Sequence, residues 1–504
     1  MTSPSGDEVP APTGGPISRR TNRRLVLKNT IYLTASQALT VPLSILVNAV
    51  AARYLGADAF GVSYFAFTLC GFGFLIVSWG HEGALPAVVA RDHSQSGLML
   101  GTSLLFRSLL SVPIYIVMAI GCYLAGYGAE MQWVLALTAL HQLLTAYAAA
   151  CKDTIRGLER TDIPAMAHVG QQLINAAFVI PVLMLGGKLL AAVTAQVAAC
   201  AAIVIVLLFA LRPAGVNRVS ATLPAAKVLF HGGTAFVVSG LVMSLQPLID
   251  ALFLSKLAPL DVMGWFAASR RLVGVLLFPA SALIGALYPT LCRLFAHDKE
   301  EFARTASSSL RGTCAVVVPV ALGTALYADT AIDLFSKEAF GPAADNLRLM
   351  SVFIALVYFS MPLGTCVLAA GKARAWSIVQ SLCLVFSVGL NPLLVPWFQR
   401  QYGNGGLGLC LSSTVSEIAV VACGVWLTPK GIFDRPFFKS LLLSMVAGAA
   451  MVLVARLMSP ITAYVAAPLA VIVYGVVLAL SGGVEPEKIA HVRAAIARKL
   501  SRAR

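Results

Sequence analysis

Runs of about twenty apolar residues recur from one end of this chain to the other, and that recurrence decides what it can fold into. A helix of about twenty residues crosses a hydrocarbon core of roughly 30 Å. Lipid offers the backbone no hydrogen-bond partner, so a crossing segment is either a helix or a strand of a closed barrel. Barrel strands read as short segments of alternating hydrophobicity, whereas the runs here are long and continuous. Only 12% of the 504 residues are charged, against about 25% in a soluble domain. Mean hydropathy is +0.83. The chain reads as an all-α polytopic membrane protein.

The runs predict about 14 transmembrane helices, at 29–52, 62–88, 98–125, 131–151, 163–185, 189–211, 228–255, 262–292, 308–327, 346–370, 374–397, 405–427, 437–457 and 461–481. Residues 1–18 lack the apolar core of a cleaved signal peptide. The basic residues fall unevenly about this alternation. Of the 37, 27 lie on the N-terminal side, among them Arg19, Arg91, Arg160, Arg218 and Lys439, and seven on the other, such as Arg53 and Arg400. The positive-inside rule then makes both termini cytoplasmic. The net charge of +15 serves orientation, and no basic stripe interleaved with aromatics suggests nucleic acid. The ten cysteines have neither C-x-x-C nor metal-type spacing and read as apolar packing residues.

The sequence also repeats. Leu55 and Gly61, then Gly83-Ala84-Leu85, Pro86 and Arg91, reappear as Leu257 and Gly264, then Gly285-Ala286-Leu287, Pro289 and Arg293. Further on, Arg107 and Pro113 match Arg311 and Pro319, and Gly157 to Arg160 matches Gly371 to Arg374. Six spans, an even number, separate the copies, so the repeats are parallel, an arrangement in which transporters place the substrate path between the halves. The expected organisation is a disordered basic N-terminus over 1–28, six-helix bundles over 29–212 and 228–430, and a linker over 213–227. Two additional spans follow in 431–482, then a basic amphipathic cytoplasmic tail over 483–504. In that tail Ile489, Val492, Ile496 and Leu500 recur at helical spacing, which suits an anionic inner leaflet.

Several residues carry a family resemblance. The first span from Asn29, then Arg53-Tyr54-Leu55-Gly56 and Phe60-Gly61, resemble the opening of bacterial polysaccharide flippases of the O-antigen and exopolysaccharide type. Asp250, Gly264, Phe266 and Arg271-Leu272 resemble their mid-chain signature, and Gly371-Lys372 and Glu417 fit the same pattern. These proteins belong to the multidrug/oligosaccharidyl-lipid/polysaccharide (MOP) exporter superfamily, and the resemblance covers roughly residues 29–430. It implies two six-helix bundles forming a V-shaped transporter, with two C-terminal helices appended. It also implies transfer of undecaprenyl-pyrophosphate-linked oligosaccharide from the cytoplasmic to the outer leaflet of a bacterial inner membrane, as in lipopolysaccharide biosynthesis.

Ionisable groups at bilayer depth are costly, so each is a candidate for function. Arg270 and Arg271 lie about eight residues, or roughly 12 Å at helical rise, inside the eighth span. Neighbouring helical positions point about 100° apart, so one arginine can face a cavity while the other pairs with Asp250. A guanidinium grips phosphate bidentately, which suits a pyrophosphate headgroup. Arg270, Arg271 and Arg107 are thus the candidate substrate-binding residues. Asp250, Glu82 and Glu417 are candidates for ion coupling or ion pairing, Glu82 with Arg107 as a partner and Arg107 alternatively snorkelling to the interface.

His81-Glu82 does not open a zinc-protease motif, because Leu85 stands where the second histidine belongs. Gly371-Lys372 is not a phosphate-binding loop, since Cys366 replaces its first glycine. Neither a catalytic residue, a metal nor a cofactor is expected. The expected partners are a lipid-linked oligosaccharide, membrane lipids, a coupling proton or sodium ion, and polysaccharide polymerase machinery. Competing readings are a MATE-like drug/cation antiporter, a lipid II flippase, and a membrane glycosyltransferase or polymerase.

Overall fold

The computed structural model describes residues 19–160, 162–216, 218–333, 335, 337–458 and 462–483. The N-terminal 18 residues and the amphipathic tail helix expected around Ile489 lie outside them. The described residues contain helices and no strand. The first half comprises α1 (Arg19–Ser78), α2 (His81–Arg91), α3 (Ser96–Leu124), α4 (Ala129–Gly157), α5 (Asp162–Met184) and α6 (Leu189–Leu211). The second begins with α7 (Leu223–Leu257), α8 (Leu260–Leu276), α9 (Phe278–His297) and α10 (Lys299–Leu326), followed by the short α11 (Ala328–Asp333) and α12 (Lys337–Phe340). It ends with α13 (Ala343–Ala369), α14 (Ala373–Tyr402) and α15 (Gly406–Leu427), and α16 (Arg435–Leu457) and α17 (Ala463–Leu480) follow.

Twelve helical stretches among the described residues are long and apolar enough to cross a membrane. One of them, Leu39–Arg91, has 53 residues, about 80 Å at helical rise, which is long enough to cross twice. The 35-residue α7, not among the twelve, is long enough for a further crossing. Together these make the fourteen expected.

The halves are built alike. In the first, α4 packs against α1, α2, α3 and α6, and α5 against α1 and α6. In the second, α13 packs against α8, α9, α10 and α15, and α14 against α7 and α15. The turns between spans differ. The break expected after the first span is a sharp one: Gly56, at φ 77° and ψ 173°, divides α1 into two helices across a kink, a conformation that a residue without a Cβ adopts freely. The equivalent turn in the second half is the extended pair Ala258–Pro259, because a residue preceding proline is driven out of the helical region. Two expected spans are themselves broken. Trp79 and Gly80, at φ 45° and 65°, divide α1 from α2, and α8 gives way to α9 at Leu277, just before Pro279. At its start α1 includes residues 19–28, which were expected to be disordered; arginine and leucine there are good helix formers.

The halves meet at both ends. At the end holding Gly56, α1 crosses α8 through two glycines. A Cβ on Gly61 would lie 2.4 Å from the Leu260 carbonyl oxygen, and one on Gly264 would lie 2.1 Å from that of Ala57. Each glycine thus faces the carbonyl four residues before the other, a reciprocal contact that only a hydrogen atom allows. Beside it, the Phe60 ring meets Phe335 and Phe340 edge-on at 6.3 and 5.7 Å, and Arg53 donates to the carbonyls of Asp333 and Phe335, at 3.3 Å each. At the other end Gly233 of α7 packs on the Trp79–Gly80 break, and Trp79 stacks on Phe230 at 4.6 Å. The segment before α7 lies on α3: Ser220 N donates to Gly97 O at 3.4 Å, and Thr222 N to Thr102 Oγ1 at 3.3 Å.

Candidate functional site

Helix α8 packs against α1 on one side and α13 on the other, so its two consecutive arginines point into different halves. Arg271 enters the first. It joins Ser44, Asn48, Ser63, His141, Gln171, Gln172, Asn175 and Gln196 around a cavity of about 220 Å³ bounded by α1, α4, α5 and α6. Its guanidinium stands 5.5 Å from the Phe60 ring centroid, directly under the aromatic cluster that joins the halves. Its Nε is buried without a hydrogen-bond partner. The residues that line the cavity around it offer neutral amides, hydroxyls and an imidazole and no carboxylate. This arrangement can bind an anion flanked by hydroxyl groups.

Arg270 faces the second half, where it lies 5.5 Å from the Phe353 ring centroid and acts electrostatically on Asp250 and Glu417. Asp250 is 2% exposed. It accepts a hydrogen bond from Asn391 Nδ2 at 3.1 Å, and Ser412 Oγ donates to Asn391 Oδ1 at 2.6 Å. Asp250, Asn391 and Ser412 thus form one buried hydrogen-bonded network of α7, α14 and α15, with Arg270 of α8 half-buried nearby but, among the described residues, in no ion pair with Asp250. Glu417 accepts a hydrogen bond from Ser360 and lines a second cavity, of about 300 Å³, with Gln246, Thr365, Gln380, Ser413 and Ser416.

A family model described as "Polysaccharide biosynthesis protein" matches residues 26–295, more than half of the chain. The chain belongs to that family. Among solved structures it is similar to the lipid II flippase MurJ in an inward closed conformation, at 12% identity and a TM-score of 0.70, over 91% of this chain and 99% of that one. It is also similar to an inward-facing multidrug resistance MATE family transporter of the MOP superfamily, at 14% identity and a TM-score of 0.63, over 79% and 97% of the two chains. A third is a MOP superfamily transporter from Pyrococcus furiosus, described as having a binding pocket of reverse polarity, at 15% identity and a TM-score of 0.54, over 80% and 95%. No curated protein matches the sequence. At these identities the structural likeness establishes the fold: this polysaccharide biosynthesis family member has the architecture of the MOP superfamily.

The remaining candidates lie elsewhere in the family member. Arg107 is 0% exposed, so it does not snorkel, and it does not line the Arg271 cavity. It donates to the Ala146 carbonyl, while its Nε and Nη2 are buried without hydrogen-bond partners. Its strongest electrostatic neighbour is Asp153, ahead of Glu82. Asp153 pairs with Arg156 at 3.1 Å. Glu82 is exposed and makes no ion pair with Arg107 among the described residues. His81 Nδ1 and Ser103 Oγ lie 2.9 Å apart.

Reading the sequence for charges missed the amides that surround Arg271, and missed Asn391, Ser412 and Asp153. One signal was available: Gln171, Gln172 and Asn175 fall within five residues of a largely apolar span, where neutral polar groups still need partners.

Proposed function

We propose that this protein translocates an undecaprenyl-pyrophosphate-linked oligosaccharide, the repeat unit of an O antigen or exopolysaccharide, from the cytoplasmic to the outer leaflet of a bacterial inner membrane. It acts by alternating access and not as an enzyme, with both termini cytoplasmic and the repeats at 29–212 and 228–430 as the moving bodies. The single observation that carries this reading is Arg271, a fixed cation reaching from the second half into an amide-lined chamber of the first. A guanidinium binds phosphate oxygens in a bidentate fork, while amides exchange hydrogen bonds with sugar hydroxyls. The lipid tail stays in the bilayer. Because Arg271 sits beneath the contact between α1 and α8, opening that contact separates it from the walls that complete the site and so loosens the headgroup. Polymerase machinery on the outer side then removes the product.

A coupling ion is favoured by one further observation, the carboxylate of Glu417 in the second cavity, which suits a proton or sodium ion. The same carboxylate supports the alternative of a drug/cation antiporter, and likeness to MurJ supports that of a lipid II flippase. Deleting the gene and analysing the lipid-linked intermediates separates the three. Accumulated undecaprenyl-pyrophosphate oligosaccharide, cleared by the wild-type gene and not by Arg271→Ala, is the expected result. Accumulated peptidoglycan precursor or unchanged lipids with new drug sensitivity overturns it.

A further inference from the structure

Between the second half and the two appended helices lies a cavity of about 490 Å³, lined by Arg311 and Ala315 of α10 and by Arg435, Lys439, Ser440 and Leu443 of α16. Arg435 and Lys439 stand four residues apart on one face of α16, both exposed, and like charges at that spacing repel. They also sit in the first turns of α16, where the helix dipole adds positive potential. Ser440, 6% exposed, turns a hydroxyl with no hydrogen-bond partner into the same wall. The neighbouring carboxylate is already engaged: Asp434 accepts from Ser307 Oγ and from Phe437 N, both at 2.8 Å. Deeper in, Ala315 and Leu443 turn the wall apolar.

Cations at the mouth, an unsatisfied hydroxyl behind them and apolar walls beyond are the layout that receives a phosphate with hydrocarbon attached. Basic pockets between spanning helices on the cytoplasmic side are recognised routes to lipid headgroups. We propose that this cavity holds the phosphate of an anionic glycerophospholipid of the inner leaflet, whose chains run along Ala315 and Leu443 and join α16 and α17 to α10. The chain's own tail is a poor occupant. Gly483 lines the cavity, and residues 484–504 carry six basic against two acidic side chains, a net charge that Arg435 and Lys439 repel. The proposal rests on the cytoplasmic orientation given above and is independent of which solute is carried.

The test uses the purified full-length protein, stripped of lipid in detergent. Thermal unfolding and native mass spectrometry are followed with phosphatidylglycerol, phosphatidylcholine or inorganic phosphate at matched concentrations. Arg311 has other interactions, so the variants address Arg435 and Lys439, whose exposure makes them dispensable for folding. Phosphatidylglycerol is expected to raise the Tm of the wild type and to remain bound, and phosphatidylcholine and inorganic phosphate to do neither. The double variant Arg435→Ala/Lys439→Ala is expected to melt like the lipid-free wild type and to lose roughly tenfold or more in phosphatidylglycerol retention. A control, Arg374→Ala/Lys430→Ala, at exposed positions on the same face, is expected to keep the full response. Undiminished retention in the Arg435/Lys439 variant, an equal loss in the control, or equal stabilisation by phosphatidylcholine overturns the site. Equal stabilisation by inorganic phosphate overturns the lipid as its occupant. Glycan export is not the readout, so failure here leaves the transport reading untouched.

Discussion

The two halves share a helix plan but not a chemistry. In the first, the chamber bounded by α5 and α6 is lined by amides and receives one cation, Arg271. In the second, the chamber bounded by α14 and α15 is lined by hydroxyls and amides and holds one carboxyl group, Glu417. Cys200 and Glu417 each stand eleven residues past the first residue of equivalent helices, Leu189 and Gly406, and each faces the chamber of its own half. The equivalent positions thus face equivalent chambers and carry a thiol in one half and a carboxyl group in the other. The cation of the first chamber is moreover supplied by the second half, so the charge of that chamber depends on the contact between the halves.

The largest expected effect comes from unbalancing the second half. Asp250→Ala leaves Arg270 without its nearby carboxylate and the Asn391 amide without an acceptor, at a cost of about 3 kcal/mol. A clear fall in Tm is expected, partly restored in Asp250→Ala/Arg270→Ala, since the effects of neighbouring charges do not add. A double variant as unstable as the sum of the single ones would break the link between them.

Arg271→Ala is expected to lower glycan export at least about tenfold, the scale of a lost charge-assisted contact of about 1.5–3 kcal/mol, with normal insertion and Tm. Arg271→Lys keeps the charge but not the fork, and should export at an intermediate rate. Wild-type export by Arg271→Ala removes the residue from the site.

Gly264→Ala tests the seal that both halves share. Its Cβ meets backbone, which cannot rotate aside, so about 1–3 kcal/mol of strain is expected. A cysteine placed near Phe60 should become more accessible to a membrane-impermeant thiol reagent. Gly274→Ala, with nothing within 4 Å of its Cβ, should be silent. Equal labelling of the two variants ends the role of the glycine crossing as a gate.

The smallest expected effect belongs to Glu417→Gln, which keeps the shape and the Ser360 contact. If the second chamber couples an ion, export by this variant slows by a factor of about ten or less and no longer responds to changes in pH or sodium. An unchanged response assigns coupling elsewhere.

Much of the fold was readable because lipid makes a spanning helix conspicuous, and because Gly61 and Gly264 keep their spacing through the repeat. The fates of individual charges were less readable. That adjacent arginines diverge follows from helical pitch, but which of them meets the amides depends on what α8 packs against. Arg107 looked like a candidate for the cavity or the interface because sequence gives its depth and not its direction; packing aims it at the Ala146 carbonyl. The break at Trp79–Gly80 was hidden inside an apolar run, since nothing in hydropathy marks a left-handed turn.

The segment that leads into α7 is not slack cord. It is stitched to α3 by Ser220 and Thr222, and Gly233 is wedged against Trp79, while further along the same helix Asp250 is anchored to Asn391. One rod is thus owned at its two ends by different partners, with Pro247 between the anchorages. Any swing of one half against the other must be absorbed along that rod, and a proline, which removes one rung of the backbone ladder, is where it bends most easily.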